Sequence, residues 1–162
     1  MQVLNILHDS IVDGKGLRTV VFFAGCPHHC FGCHNPQSWN RDNGSEMSED
    51  EIFQEVVGNE LSDVTFSGGE PFMQSAELTP LAQRLKQAGK NIWCYTGYLF
   101  EELIRQPQHL ALLQHIDVLV DGRFELSKRD LSLLYKGSRN QRLIDVPKAL
   151  ECLYAAAPKE RV

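Results

Sequence analysis

The sequence predicts an α/β protein in which helices cover a parallel sheet. Short, nearly continuous apolar segments recur along the chain, and amphipathic helical patterns separate them, an alternation that is typical of such sheets. The 162 residues can build one domain with a sizeable core, but they fall short of the roughly 250 residues of a closed eight-unit β/α barrel. We expect a single domain over residues 1–158 and a frayed tail over residues 159–162, with ligands at the carboxyl ends of the strands.

Two strands and a long loop are predicted in the first 47 residues. Residues 3–7 and 19–23 are rich in β-branched and aromatic side chains, which favours strands. Gly14 and Gly16 lie between them and predict a turn. The polar stretch that follows, through residue 47, is longer than most connections in compact domains, and long ordered loops are usually functional.

Helices and strands alternate from residue 48 onward. Ser48 and Glu51 have the spacing of a capping box, which predicts a helix that Gly58 ends. Thr79 and Pro80 predict the start of a second helix, and Gly89 predicts its end. Further strands are predicted at residues 64–66, 92–95, 116–120 and 143–146, with a helix near residues 99–105 and a short polar-apolar segment over residues 108–115.

Composition and charge narrow the classes of function. The net charge of −5 at pH 7 argues against a protein that binds nucleic acid or an anionic membrane, because both need a concentrated positive field. No stretch of about 18 apolar residues occurs, and residues 1–11 lack the positively charged start of a secretion signal. We therefore expect a soluble, cytoplasmic protein that acts on neither nucleic acid nor membrane.

Cysteine usage is the first feature that points to chemistry. The chain has five cysteines, and three of them, Cys26, Cys30 and Cys33, lie within eight residues in the pattern C-x3-C-x2-C. An odd number with such close spacing is unsuited to a disulfide scaffold and favours a metal site. Cys94, inside a predicted strand, and Cys152, in a predicted terminal helix, are expected to be core or surface residues.

The kind of metal stays open at this point. Structural zinc needs a fourth ligand, which His28, His29 or His34 could supply. A four-iron cluster on three thiolates would instead leave one iron free to bind a small molecule. Buried structural thiols are a third interpretation. If they are not ligands, His28 and His29 are expected at the surface of the loop.

A second motif, Gly68-Gly69-Glu70-Pro71, also follows a predicted strand. Together with the cysteine spacing it resembles the radical S-adenosylmethionine superfamily. The resemblance implies that the three cysteines hold one [4Fe-4S] cluster, and that the amino and carboxylate groups of S-adenosylmethionine bind its fourth iron. The two glycines and Glu70 would contact that amino group, since glycine permits close backbone approach and a carboxylate accepts from an amine.

On the adenine side, the resemblance assigns cofactor contacts to Gly32, Cys33 and His34. Gly32 stands where the superfamily commonly has an aromatic residue, so Phe31 or His34 would pack near the adenine instead. Trp39, later in the same loop, is expected to be a packing anchor.

Five further segments narrow the resemblance. Residues 92–98, 118–124 and 137–142, with residues 13–18 and 35–39, look closely like the activating proteins of anaerobic ribonucleoside-triphosphate reductases. The likeness extends over roughly residues 5–146, which is nearly the whole chain. Lys15 stands where glycyl-radical activases frequently have proline, a difference that concerns only the local turn.

Within these segments, Thr96 and Asp121 are candidate cofactor contacts. Thr96 occupies a strand-to-helix turn. Asp121 follows an apolar strand, and a carboxylate there either caps the next turn or faces the ligand crevice. Arg123 and Arg142 either pair with the cofactor carboxylate or form surface ion pairs.

The resemblance implies a glycyl-radical-enzyme activase with a partial, laterally open (β/α) barrel of the radical S-adenosylmethionine type and about six strands. A reduced cluster would cleave S-adenosylmethionine to methionine and a 5′-deoxyadenosyl radical. That radical would take a hydrogen from a glycine of the reductase large subunit, with flavodoxin or ferredoxin as electron donor. No catalytic side chain is implied beyond the cluster and the cofactor, which carry the chemistry.

Other functions stay open on the sequence alone. The chain could activate another glycyl-radical enzyme of the formate-lyase type, or act on a small molecule. It could also be a zinc-binding module without catalysis. A thiol redox protein fits less well, because C-x3-C-x2-C lacks the C-x2-C placement at a helix start that such proteins use.

Overall fold

Seven strands form one open sheet within residues 1–156, the part of the chain that the computed structural model describes. They are β1 (Gln2–Ser10), β2 (Arg18–Phe23), β3 (Ser45–Glu46), β4 (Asp63–Gly68), β5 (Ile92–Tyr95), β6 (Val118–Asp121) and β7 (Arg142–Asp145). Their order across the sheet is β3-β1-β2-β4-β5-β6-β7, so the sheet does not close into a barrel. The α/β class and the open sheet are confirmed. The predicted tail and the predicted boundary at residue 158 lie outside the described residues.

Five α-helices accompany these strands in the described chain. They are α1 (Glu49–Val57), α2 (Ser75–Gln87), α3 (Phe100–Leu103), α4 (Pro107–Leu113) and α5 (Val146–Ala156). Among the helices of residues 1–156, none has both the length and the apolar character that a membrane span requires.

The sheet is mixed, which corrects the prediction of a parallel sheet. The four central strands β2, β4, β5 and β6 are parallel, whereas β1, β3 and β7 pair antiparallel with their neighbours. Residues 11–17 connect β1 to β2, and a parallel pair would need a crossover of a dozen residues or more. Six of the seven strands were predicted. Strand β3 was not, because two residues are too few to show a periodic pattern.

The predicted start of α2 at Thr79 and Pro80 is wrong, because the helix already begins at Ser75. Pro80 therefore lies inside it. In a regular helix the N–H of residue 80 would donate to the Ala76 carbonyl, but proline has no N–H. Ala76 and Pro80 are both exposed, so water can satisfy that carbonyl instead. Two other predicted helix boundaries are confirmed. The capping box of Ser48 and Glu51 starts α1, and Gly89, at φ 79°, follows the end of α2.

The two faces of the sheet are covered in different ways. Alternate residues of the central strands, such as Phe23, Phe66 and Cys94, join the helices in the main hydrophobic core. On the opposite face, the Thr65 hydroxyl donates to the Asp13 carbonyl at 2.7 Å, and the Tyr95 hydroxyl donates to the Tyr135 carbonyl at 2.9 Å. Loops therefore cover this second face, and they leave a pocket at the carboxyl ends of the parallel strands.

Candidate functional site

A pocket of about 280 Å³ lies where β2, β4, β5 and β6 end. We call it the cysteine pocket, because Cys26, Cys30 and Cys33 all line it. Each of these strands ends beside the pocket because the four are parallel, and their carboxyl ends meet at one edge of the sheet. The predicted candidates that line it are Cys26, His28, Cys30, Cys33, His34, Gly68, Gly69 and Thr96.

The first wall is the cysteine loop, residues 25–39, which follows β2 directly. It closes on itself where the Gly25 N–H donates to the Ser38 carbonyl at 2.8 Å and the Cys26 N–H donates to the Trp39 carbonyl at 3.1 Å. The Cys33 N–H donates to the Cys30 carbonyl at 3.0 Å, which turns the chain back toward the pocket. This folding brings three half-buried thiols of one short segment around a single cavity.

The donor set of the cysteine pocket fits an iron–sulfur cluster. Burial raises the pKa of the Cys26 thiol, so a metal that binds there has to displace its proton. In the described part of the chain, no three His, Cys, Asp or Glu side chains converge closely enough to hold a single metal ion. Cysteine thiolates are the ligands that hold iron–sulfur clusters, and three of them line this one cavity.

The second wall is the end of β4, where Gly68 and Gly69 press against the cysteine loop. The Gly69 N–H donates to the Phe23 carbonyl and the Glu70 N–H donates to the Gly25 carbonyl, both at 2.8 Å. A side chain at Gly68, which has φ 102°, would collide with the Phe23 backbone, and one at Gly69 would collide with the Gly25 carbonyl. The two glycines are therefore required for this close approach.

Glu70 lies behind the pocket: it is not among the lining residues, and its side chain is fully buried. Its carboxylate accepts hydrogen bonds from the Phe72 N–H at 3.1 Å, the Gly97 N–H at 2.9 Å and the Thr96 hydroxyl at 2.9 and 3.0 Å. His28 Nε2 lies 2.8 Å from Glu70 Oε2. Glu70 thus joins the cysteine loop to the turn after β5.

The expectation that His28 lies at the loop surface is wrong. Its side chain is only 3% exposed and packs edge-on against Tyr98, with 4.6 Å between the ring centroids. The ring fits because residue 97 is glycine; a Cβ there would overlap it. His29, in contrast, is exposed and stacks on Trp39 at 4.7 Å, so Trp39 does anchor the loop.

Asp121 is fully buried and does not line the cysteine pocket. It accepts from the Phe100 N–H at 2.8 Å, at the start of α3, and from Arg142 Nε at 2.9 Å. The structure therefore places Asp121 where it caps the start of α3. It does not face the ligand crevice, the second of its two predicted alternatives. Arg142 also pairs with Glu101 at 2.7 Å, which is the ion-pair alternative for that arginine.

Gly32 also lies away from the pocket, in a turn with φ 75° where a Cβ atom would come close to the Leu126 side chain. Phe31 is 83% exposed, whereas His34 lines the pocket and packs against Phe124 at 4.8 Å between ring centroids. Of the two aromatic alternatives for the adenine side, the structure places His34 at the cavity, and it adds Phe124.

Several lining residues were not singled out from the sequence. Tyr95 could have been found, because strict alternation along β5 puts it on the face opposite Cys94. Asp13, Gly137 and Gln141 also line the pocket, but they come from loops, whose paths no periodic pattern predicts.

Comparisons with known proteins agree with this site. Residues 12–144 match the family model described as a 4Fe-4S single cluster domain. The chain is similar to three curated proteins named anaerobic ribonucleoside-triphosphate reductase-activating protein. The relative from Haemophilus influenzae is 36% identical over 87% of this chain and 96% of its own length. The one from Pasteurella multocida is 38% identical over 81% and 89%, and the one from Escherichia coli K12 is 34% identical over 81% and 90%.

Proposed function

The chain belongs to the family of the anaerobic ribonucleoside-triphosphate reductase-activating proteins, and we propose that it activates such a reductase by generating a glycyl radical on its large subunit. The observation that carries the proposal is the cysteine pocket. It gathers Cys26, Cys30 and Cys33 at the carboxyl edge of an open α/β sheet, where such sheets bind their ligands.

In this proposal the three cysteines hold one [4Fe-4S] cluster, and the cavity beside them receives S-adenosylmethionine. When bound, the reduced cluster supplies the electron that cleaves S-adenosylmethionine to methionine and a 5′-deoxyadenosyl radical. Flavodoxin or ferredoxin is the kind of electron donor that we expect. The chain would then be a radical S-adenosylmethionine oxidoreductase.

Different walls of the pocket would hold the two ends of S-adenosylmethionine. We assign the methionine end to Gly68, Gly69 and Thr96, because all three line the cavity and the two glycines have no side chains to obstruct it. Glu70 fixes Thr96 and the Gly97 N–H from behind, so it orients this wall while remaining shielded from water.

The adenine end is assigned to Cys33 and His34, with Phe124 as the packing surface. Gly32 supports this end by allowing the left-handed turn. Asp121 supports the opposite wall by holding the start of α3, next to the Thr96 turn. The open sheet leaves room for a polypeptide substrate, whose glycine has to come within contact distance of the cofactor.

The decisive experiment is anaerobic. Purified chain reconstituted with iron and sulfide is mixed with reductant, S-adenosylmethionine and the reductase, and electron paramagnetic resonance then detects a glycyl radical. We expect a brown protein, 5′-deoxyadenosine and the radical signal. A colourless zinc protein would contradict the proposal, and a radical formed only on a formate-lyase-type enzyme would change the partner.

Cysteine variants test the ligand assignment in the same mixture. We expect Cys30→Ala to lose the cluster absorbance and 5′-deoxyadenosine production, because a three-thiolate site loses one of its ligands. Cys152→Ala is the matched control, since Cys152 is exposed on α5, and it should behave as the wild type. Full iron loading with normal 5′-deoxyadenosine production in Cys30→Ala would refute the assignment.

A further inference from the structure

Trp39 carries a polar group whose role the packing of the protein does not explain. Trp39 lines the cysteine pocket, and its Nε1 atom is shielded from solvent yet has no hydrogen-bond partner among residues 1–156. Indole nitrogen is a donor only. A buried donor without an acceptor is unfavourable, and native proteins rarely keep one.

The backbone of Trp39 is fixed beside the first cysteine of the pocket. The Cys26 N–H donates to the Trp39 carbonyl at 3.1 Å, and the Gly25 N–H donates to the Ser38 carbonyl at 2.8 Å. His29 stacks on the indole with an interplanar angle of 22°. The backbone and one face of the ring are therefore held, and the ring nitrogen is the part that has no partner.

A [4Fe-4S] cluster would bring hydrogen-bond acceptors into the cysteine pocket. The sulfurs of a [4Fe-4S] cluster and of its thiolate ligands accept hydrogen bonds, and these bonds influence the reduction potential. The same loop already directs one such donor at a ligand, since the Asn35 N–H points at Cys33 Sγ, with 3.4 Å between the two atoms.

We propose that the Trp39 indole N–H donates a hydrogen bond to a sulfur of the [4Fe-4S] cluster or of its cysteine ligands, and that this bond raises the reduction potential of the cluster. The inference rests on the cluster of the proposed function. A donor stabilises the reduced state more than the oxidised one, because the reduced cluster carries one more negative charge on its sulfurs. Trp39 is thus a positioning and tuning residue, not a catalytic one.

The first test measures the midpoint potential of the reconstituted cluster by a redox titration monitored by electron paramagnetic resonance. Trp39→Phe keeps the aromatic ring and removes the N–H, and we expect a more negative potential, by a tenfold change in the reduction equilibrium or about 59 mV. Trp93→Phe is the matched control. Trp93 is the other tryptophan of the chain; it lies outside the pocket, against Arg18 and Tyr135, and its variant should keep the wild-type potential.

A second control separates the N–H from the packing of the ring. His29→Ala removes the stacked partner of Trp39 but leaves the indole N–H in place, so we expect a potential close to that of the wild type. An unchanged potential in Trp39→Phe, or an equal shift in His29→Ala and Trp39→Phe, would overturn the proposal.

The third test does not need a stable Trp39 variant. In Trp93→Phe, Trp39 is the only indole, so protein labelled with ¹⁵N at the indole nitrogen reports on Trp39 alone. We expect the reduced cluster to show a ¹⁵N coupling and an exchangeable proton coupling in pulsed electron paramagnetic resonance. A cluster that forms and lacks both couplings would refute the hydrogen bond, whereas failure to form any cluster in the wild type would refute the proposed function itself.

Discussion

At the scale of single residues, Glu70 is the point where three parts of the site are joined. Its buried carboxylate takes donors from the turn after β5, from its own turn and, through His28, from the cysteine loop. A carboxylate can satisfy this many donors because both of its oxygens accept and neither donates. The residue therefore determines how the methionine wall faces the cluster ligands.

We expect Glu70→Gln to bind S-adenosylmethionine about tenfold more weakly, which is about 1.4 kcal/mol, while the cluster absorbance stays normal. An amide has one accepting oxygen and one donating nitrogen, so one of the groups around Glu70 loses its acceptor and the wall shifts. Binding is measured by equilibrium methods on the reconstituted protein, with the exposed Glu60→Gln as control. Loss of the cluster itself would reassign Glu70, and unchanged binding would contradict the prediction.

His28 gives a second prediction at this scale. His28→Ala removes a buried partner of Glu70, and we expect the free energy of unfolding to fall by about 1–3 kcal/mol. Gly97→Ala should also destabilise the protein, because the new Cβ overlaps the His28 ring, but it should cost much less in the His28→Ala background. Urea unfolding of the four proteins measures this coupling, and purely additive effects would contradict it. His29→Ala, at an exposed site, is the control.

The candidate site could be predicted from sequence only where motif residues line the cavity. Cysteine spacing identified Cys26, Cys30 and Cys33, and the family resemblance of two motifs that follow strands identified Gly68, Gly69 and Thr96, all of which line it. Spacing could not show that Glu70 faces inward or that His28 is buried. The burial of His28 depends on the absence of a side chain at Gly97, and the orientation of Glu70 depends on donors from the turn after β5. Both are contacts between segments far apart in the chain.

At the scale of elements, local sequence signals predicted the ends of a helix well where side chains at that end bond its free backbone groups. The capping box of α1 is such a case. Elements whose boundaries depend on their neighbours were predicted less well. Ser75 can start α2 because the Pro71–Gln74 turn leads directly into it, and β7 pairs antiparallel with β6 because no α-helix intervenes between them.

Helix α4 carries a prediction about pH. Burial lowers the pKa of His109, which packs against Phe72 and Tyr98. Above the ordinary histidine value of about 6.5, His109 is neutral in both the folded and the unfolded chain. Below it, the unfolded chain binds the proton more readily, so folding stability is lost as the pH falls.

Urea unfolding at pH 7 and pH 5.5 tests this statement. We expect the wild type to lose more stability across that interval than His109→Gln, which has no proton to bind at this position. His29→Gln, at an exposed position, should follow the wild type. Equal losses in the wild type and His109→Gln would contradict the assignment.

At the scale of the whole molecule, chain length and the alternation of strands and helices predicted the open α/β architecture. What they could not predict is how the second face of the sheet is closed. Arg18 lies there almost fully buried, with Nε donating to the Thr65 hydroxyl at 2.6 Å and Nη2 donating to the Asn91 carbonyl at 2.9 Å. Burial lowers its pKa to about 10. A buried arginine satisfied by hydroxyl and carbonyl oxygens leaves no signature in hydrophobic periodicity.

The last prediction concerns the stability of the whole chain with and without the cluster. The cysteine loop has little regular structure and is held mainly by its closure at Trp39 and by the strand ends. One cluster bound to Cys26, Cys30 and Cys33 would restrict this loop. A group that binds only the folded state stabilises that state.

We therefore expect the cluster-loaded protein to unfold at a higher urea concentration than the apoprotein, under anaerobic conditions. Amide hydrogen exchange should slow in residues 25–39 far more than in α1, which lies outside the loop and keeps its own capping box. Cys26→Ala should abolish both differences, and Cys152→Ala should preserve them. Equal protection of the loop in both forms would mean that the loop is already rigid without the cluster, and that the open sheet alone positions the three cysteines.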